Sequence, residues 1–79
     1  MMQIIFKNYM SEYISNNVYT LRTKKGLTQE DLAEKVGITR QTVISIEKGN
    51  YTPSVYLALK IASTFRVMVE DIFKISNEK

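Results

Sequence analysis

The segment from Arg40 to Lys48 combines hydrogen-bonding and apolar side chains at the spacing of one helix face. At about 100° per residue, that face carries Arg40, Gln41, Ile44, Ser45 and Lys48. Arg can donate two parallel hydrogen bonds to guanine, Gln can pair with the edge of adenine, and an apolar side chain can pack on the thymine methyl. The face therefore has the chemistry of base recognition in a DNA major groove, and Arg40, Gln41, Ile44 and Ser45 are the predicted base-contacting residues.

The composition offers little for catalysis. The 79 residues include no Cys and no His, which excludes disulfides, thiolate or imidazole metal ligands, and the usual general base near neutral pH. An acidic cluster at Glu30, Asp31 and Glu34 is explained by the start of a helix, where the helix dipole favours carboxylates. We therefore expect a protein that is not an enzyme and that has no catalytic residues, no cofactor and no metal site.

Length and charge indicate one small domain. A chain of this length buries only roughly 60% of its unfolded surface. Eleven basic against eight acidic residues give a net charge of +3, which is compatible with a nucleic-acid partner without proving one. Since no apolar run approaches the ~20 residues of a membrane span and no signal peptide is visible, we expect no membrane partner and a cytoplasmic location.

A continuous block of twenty residues, QEDLAEKVGITRQTVISIEK from Gln29 to Lys48, has the constraints of two helices joined by a tight turn. A small Ala33 would let the second helix cross closely, and Gly37 can adopt the positive φ of the turn. The seven constrained positions are occupied by Leu32, Ala33, Val36, Gly37, Ile38, Val43 and Ile46. Together they predict a DNA-binding helix-turn-helix.

Caps and apolar spacing predict five helices and no sheet, an all-α domain. The predicted helices are Glu12 to Lys24, a second from the Thr28 cap to Gly37, a third from the Thr39 cap to Lys48, a fourth after Ser54, and a short fifth from Val69 to Phe73. The fourth is expected to bury a stripe of Val55, Ala58, Leu59, Ala62 and Phe65.

Phosphate contacts are expected around the base-contacting face. Gln29 lies at a helix start, where free backbone N–H groups and the helix dipole favour an anion. Lys48, Asn50 and Thr52 flank the far end of the third helix. The predicted phosphate-binding residues are Gln29, Thr39, Lys48, Asn50 and Thr52.

Residues 18–73 resemble the Cro/C1-type (XRE) helix-turn-helix family, the fold of lambdoid phage repressors. The resemblance lies in LRTKKGLTQEDLAEKVGITRQTVISIEKGNYTPS, LALKIASTF and VEDIF. It implies a compact five-helix, lambda-repressor-like domain that binds operator DNA as a dimer and represses transcription. It also implies phosphate contact by Gln29, base contact by Arg40, Gln41 and Ser45, and an internal ion pair between Arg22 and Glu47.

Two departures from the family pattern bear on what can be transferred. Ile44 and Ser45 differ from the Ser and the longer polar or basic residue of many members, so the DNA target cannot be transferred. Arg66 and Met68 stand where the family usually has a left-handed Gly and a capping Ser or Thr, which predicts a strained or differently shaped junction.

The expected organisation is an N-terminal extension (1–15), the helix-turn-helix domain (16–75) and a C-terminal tail (76–79). A homodimer requires a self-complementary patch, and the apolar candidates are Val69, Ile72, Phe73, Ile75, Ile4, Ile5 and Phe6. The segments IIFK and IFKI could each add a short strand, to one another or across the two-fold axis.

Two alternatives to a repressor remain open. A DNA-binding antitoxin, with a toxin as its protein partner, would use the same domain. A protein-interaction module of the same fold would be expected to have an acidic or apolar third helix, whereas this helix presents Arg40, Gln41 and Lys48.

Overall fold

The computed structural model describes residues 12–77. Four α-helices, one 3₁₀ helix and two strands form in these residues. In chain order they are β1 (Glu12–Asn16), α1 (Val18–Lys24), α2 (Gln29–Val36), α3 (Arg40–Glu47), α4 (Val55–Phe65), the 3₁₀ helix (Val69–Asp71) and β2 (Phe73–Asn77). The helical helix-turn-helix fold is as predicted, but the expectation of five helices without a sheet was wrong.

The two strands form an antiparallel sheet that joins the two ends of the described chain. Glu12 pairs with Asn77, Ile14 with Ile75, and Asn16 with Phe73. The predicted first helix therefore begins at Val18 rather than near Glu12. The IFKI segment does lie largely in a strand, but that strand pairs with β1 of the same chain; the IIFK segment lies outside the described residues.

The junction after α4 also differs from the predicted fifth helix. Arg66 adopts the left-handed conformation, with φ 60° and ψ 44°, at the position where a Gly was expected. A single 3₁₀ turn follows. Its Asp71 side chain accepts a hydrogen bond from the backbone N–H of Met68 at 2.8 Å, while the Met68 side chain provides no cap. Phe73 then begins β2, so the chain leaves the helical part of the fold after one turn.

The core confirms the helix-turn-helix pattern. Each of the five apolar core positions predicted on α2 and α3 is at most 2% exposed: Leu32, Ala33, Val36, Val43 and Ile46. Gly37 ends α2 with φ 77°. A Cβ at Gly37 would meet only the Lys60 Nζ, at 3.6 Å, so the backbone angle rather than a lack of space requires glycine there.

Helix α4 is rotated relative to the predicted stripe. Its buried residues are Leu57, Ile61, Ala62 and Phe65, whereas Val55 and Leu59 are 77% and 54% exposed. Because VYLALKIA is apolar around most of the helix, its periodicity does not fix which side faces the core. No helix within residues 12–77 is long and apolar enough to cross a membrane.

Candidate nucleic-acid interface

Helix α3 presents the predicted base-contacting side chains on the surface opposite its core contacts. The hydroxyl of Thr39 caps the helix by accepting a hydrogen bond from the Thr42 N–H at 3.1 Å. Arg40 and Gln41 are exposed in the first turn, and Ile44 and Ser45 are half-buried further along. This arrangement permits base contact from the first turn and apolar contact from the second; their contact with bases stays a prediction.

An ion pair joins α1 to the end of α3. Arg22 Nε donates to Glu47 Oε2 at 2.6 Å, and the two side chains are each 8% exposed. Arg22 Nη2 donates to Glu47 Oε1 at 3.2 Å and Nη1 to the Leu27 carbonyl at 2.9 Å. The hydrogen bond to Glu47 raises the pKa of Arg22 above its ordinary value, against the opposing effect of burial. The pair implied by the family resemblance is therefore present, and it constrains the direction of α3.

Gln29 is also connected to this ion pair. Its Nε2 donates to Glu47 Oε1 at 3.2 Å, and the residue is half-buried at the start of α2. A side-chain amide has two N–H donors, so one donor of Gln29 is left for a phosphate. The predicted phosphate contact is thus compatible with the observed bond, which would hold the amide in place before DNA arrives.

The other predicted phosphate-binding residues surround α3. Thr39, Lys48, Asn50 and Thr52 are all exposed. The backbone of Asn50 is fixed by a 2.9 Å hydrogen bond from its N–H to the Ser45 carbonyl. A cleft of about 500 Å³ separates β1 from Lys48, Gly49 and Thr52. Lys48, Asn50 and Thr52 thus place a cation and polar groups beyond the C-terminal end of α3, whereas Thr39 lies at its N-terminal end. Their contact with phosphates stays a prediction.

One of the acidic residues at the start of α2, Asp31, has a structural function. Asp31 accepts a 2.8 Å hydrogen bond from the Thr28 N–H, and the Thr28 hydroxyl accepts one from the Asp31 N–H. The hydrogen bond from the Thr28 backbone N–H to the Asp31 carboxylate is the main reason that the pKa of Asp31 lies below its usual range. Across residues 12–77, no three His, Cys, Asp or Glu side chains are grouped so that they could hold a metal ion.

Two residues near α3 were not singled out from the sequence. The ring centroid of Tyr19 lies 5.2 Å from Arg22 Cζ, a contact that their i, i+3 spacing on a helix could have suggested. The Asn16 side chain donates to the Ile46 carbonyl at 2.9 Å. The two residues are 30 positions apart in the sequence, so no local sequence pattern predicts the bond.

The predicted dimer patch is only partly available on the surface. Ile72 is 1% exposed and belongs to the core, so its assignment to an interface was wrong. Val69 and Phe73 are partly buried against the same core. Ile75 is 69% exposed, while Ile4, Ile5 and Phe6 lie outside the described residues. Among the C-terminal candidates, Ile75 therefore has the most exposed side chain that a partner could bury.

Comparisons with known proteins agree with this geometry. The family described as Helix-turn-helix matches residues 18–76. The chain is 51% identical over 65 residues to YgzD, an uncharacterized HTH-type transcriptional regulator of Bacillus subtilis, covering 82% of this chain and 98% of the relative. It is 55% identical over 60 residues to an uncharacterized HTH-type transcriptional regulator of Methanocaldococcus jannaschii, covering 76% of this chain and 91% of the relative.

A solved structure shows the same fold at a lower sequence identity. It is the restriction-modification controller protein C.AhdI of Aeromonas hydrophila, which is 35% identical with a TM-score of 0.64 over 68% of this chain and 82% of that one. Because the family match spans about three quarters of the sequence and the turn geometry is present, this chain belongs to the XRE-type helix-turn-helix family.

Proposed function

We propose that this protein binds a specific sequence of double-stranded DNA through α3 and acts as a dimeric transcriptional repressor on an operator. The observation that carries the proposal is the exposure of Arg40 and Gln41 on a helix whose opposite side is fixed in the core by Val43 and Ile46. An exposed, hydrogen-bonding face on a rigidly held helix is what direct base recognition requires.

The two ends of α3 have different tasks in this proposal. Arg40 and Gln41 contact base edges, while Ile44 and Ser45 contact the neighbouring base pairs. Thr39 at the N-terminal end of α3, and Gln29, Lys48, Asn50 and Thr52 near its C-terminal end, contact phosphates and fix the register of the helix on the duplex. Relatives named as HTH-type transcriptional regulators support a DNA-binding function for the chain.

A dimer follows from the small size of the interface. One module of this kind contacts only a few base pairs, whereas two related by a two-fold axis contact half-sites roughly 34–36 Å apart. Repression is the expected consequence, since a dimer bound across a promoter excludes other proteins from it. No feature of residues 12–77 favours a toxin partner over a second copy of the chain. A cytoplasmic location follows if DNA is the partner.

The test is selection of bound duplexes from a random DNA pool, followed by competition between the selected sequence and random DNA. We expect an inverted repeat whose half-sites are spaced by about one helical turn. Binding should fall steeply with salt, because phosphate contacts release counterions. Failure to enrich any sequence, or equal affinity for selected and random duplexes, would contradict sequence-specific binding.

A further inference from the structure

The side chain of Asn16 connects three elements of the fold. Its Nδ2 donates to the carbonyl of Ile46 in the last turn of α3, at 2.9 Å, and its Oδ1 accepts from the N–H of Val18 at the start of α1, at 3.0 Å. Its backbone belongs to β1 and is paired with Phe73 of β2. One residue therefore links the sheet, α1 and α3.

The chemistry of these bonds fixes the orientation of the amide. A carbonyl can only accept a hydrogen bond and a backbone N–H can only donate one, so exchanging Oδ1 and Nδ2 would break both bonds. The next residue, Asn17, donates its backbone N–H to the Ile72 carbonyl at 3.1 Å, which holds this part of the chain against the core. Asn16 thus acts from a fixed position and gives the Ile46 carbonyl, which also accepts from the Gly49 N–H at 3.0 Å, a second hydrogen bond from outside α3.

The location of this bond bears on base contact. Ile46 is 1% exposed, and its carbonyl lies within two positions of Ile44 and Ser45. Side chains that contact bases must be held to within about 0.5 Å of their productive positions. Arg22, on α1, holds the last turn of α3 through its ion pair with Glu47. Asn16, on the sheet, holds the same turn through the Ile46 carbonyl.

We propose that Asn16 is a positioning residue, which holds the C-terminal half of α3 so that Ile44 and Ser45 meet their base pairs. The inference rests on the proposed DNA-binding function and adds to it the link from the sheet to α3. It assigns to the β1–β2 sheet a part in sequence preference, although no residue of the sheet needs to contact a base.

The decisive variant is Asn16→Asp. A carboxylate keeps the acceptor for the Val18 N–H but removes the donor to the Ile46 carbonyl, and it places a negative charge against that carbonyl. Asn17→Asp is the matched control: it makes the same change of charge one residue away, where the side chain is exposed and forms no capping hydrogen bond. Asn16→Ser is a neutral second variant, since its hydroxyl can accept from a nearby N–H while being too short to span to α3.

The measurement is the affinity of each variant for the selected operator, for random duplex, and for operators changed at one base pair at a time. The folded fraction is checked by circular dichroism at the assay temperature. For Asn16→Asp and Asn16→Ser we expect about a tenfold loss of preference at base pairs contacted by Ile44 and Ser45. Discrimination at the Arg40 pair should be largely retained, and Asn17→Asp should keep the wild-type profile.

The outcomes separate this inference from the proposed function. If the wild-type protein enriches no sequence, the proposed function fails. If the wild type has an operator but both Asn16 variants keep its complete base-pair profile, Asn16 does not position α3. A uniform loss at every base pair that parallels a loss of folded protein would show a purely structural contact and overturn the inference as well.

Discussion

Arg22 Nε and Glu47 Oε2 are 2.6 Å apart, in a pair whose side chains are each 8% exposed. An exposed ion pair would stabilise the fold by at most about 1 kcal/mol, whereas breaking a buried pair leaves one charge without water or a partner. Because Glu47 also accepts a hydrogen bond from Gln29, this carboxylate joins α1, α2 and α3. Glu47 is therefore one of the residues that hold the orientation of α3.

Removing one member of this pair should cost more than removing both. Arg22→Met and Glu47→Leu should each lower the free energy of unfolding by roughly 3–5 kcal/mol, while the double variant should recover part of that loss. Denaturant titration of the four proteins measures the coupling. Arg40→Met is a control for loss of an exposed Arg and should change stability by less than about 0.5 kcal/mol. Simple additivity of the two single changes would show that the pair contributes no coupling.

Arg40 and Lys48 should have separable effects on DNA binding. Arg40→Ala should cost roughly 1–3 kcal/mol on the selected site and relax the preference at one base pair, because a bidentate contact to guanine is lost. Lys48→Ala should weaken binding to all sequences alike and reduce the salt slope by about one. Both affinities are measured on selected and random duplexes over a range of salt concentrations.

The assignment of Arg40 would be contradicted by equal losses on selected and random DNA. Thr23→Ala is a suitable control for surface change away from α3, because Thr23 is exposed on α1 and its hydroxyl bonds to the carbonyls of its own helix.

Ile44 should contact a thymine methyl. It is half-buried within the second turn of α3, on the side that bears Gln41 and Ser45, and apolar packing on that methyl is its most direct route to base recognition. Replacing the contacted thymine by uracil should weaken binding by the wild-type protein and leave Ile44→Ala almost unaffected. If both proteins respond equally at every thymine of the operator, Ile44 makes no such contact.

The sequence predicted the helix-turn-helix accurately because its constraints are local. Thr28 with Asp31, Thr39 and Ser54 all cap helices by bonds that span three residues. Gly37 adopts its positive φ within the turn. Such features are encoded in short stretches, and they place the candidate DNA-contacting face without further information.

The sheet was predicted only in part: IFKI was expected to add a short strand, but EYISN, with which it pairs, was assigned to a helix. EYISN and FKISN are short, and each becomes a strand because the other is available about 60 positions away. Long sequence separation also hid Asn16, whose side-chain N–H reaches an α3 carbonyl 30 positions away. It also caused the errors at the ends of the domain: Ile72 was assigned to an interface because its burial depends on the packing of the whole core.

Arg66 offers a test of backbone strain. In a non-Gly residue, φ 60° destabilises the folded state by about 1–2 kcal/mol, and Gly avoids this strain. Gly also gives the unfolded chain more conformational freedom, which offsets part of the gain in stability. Arg66→Gly should therefore raise the free energy of unfolding by about 0.5–1 kcal/mol and the melting temperature by roughly 3–6 °C. Arg66→Ala should give no comparable gain, since Ala retains the strained angle; equal stabilisation by both would indicate that the guanidinium, rather than the backbone, is unfavourable.

The last prediction concerns the surface that would form the proposed dimer. On β2, Phe73 packs against the core, and Ile75, two positions further on the same face of the strand, is 69% exposed opposite Ile14, which is 37% exposed. The apolar face of the sheet thus continues from the core to the surface. A second copy of the chain would cover it, which is a reason for two large aliphatic side chains to remain in water in the monomer.

Ile75→Asp should therefore give a folded monomer, measured by sedimentation, with sharply weaker binding to a full operator and nearly unchanged binding to a half-site. Phe73→Asp is less suitable, because it would place a charge against the core and confuse folding with assembly. Val55→Asp is the matched control: it introduces the same charge at a 77% exposed aliphatic residue on α4, and it should remain dimeric. Loss of the dimer with Val55→Asp but not with Ile75→Asp would place the interface on the exposed side of α4 instead. A wild-type protein that is monomeric at operator-saturating concentrations would exclude both surfaces.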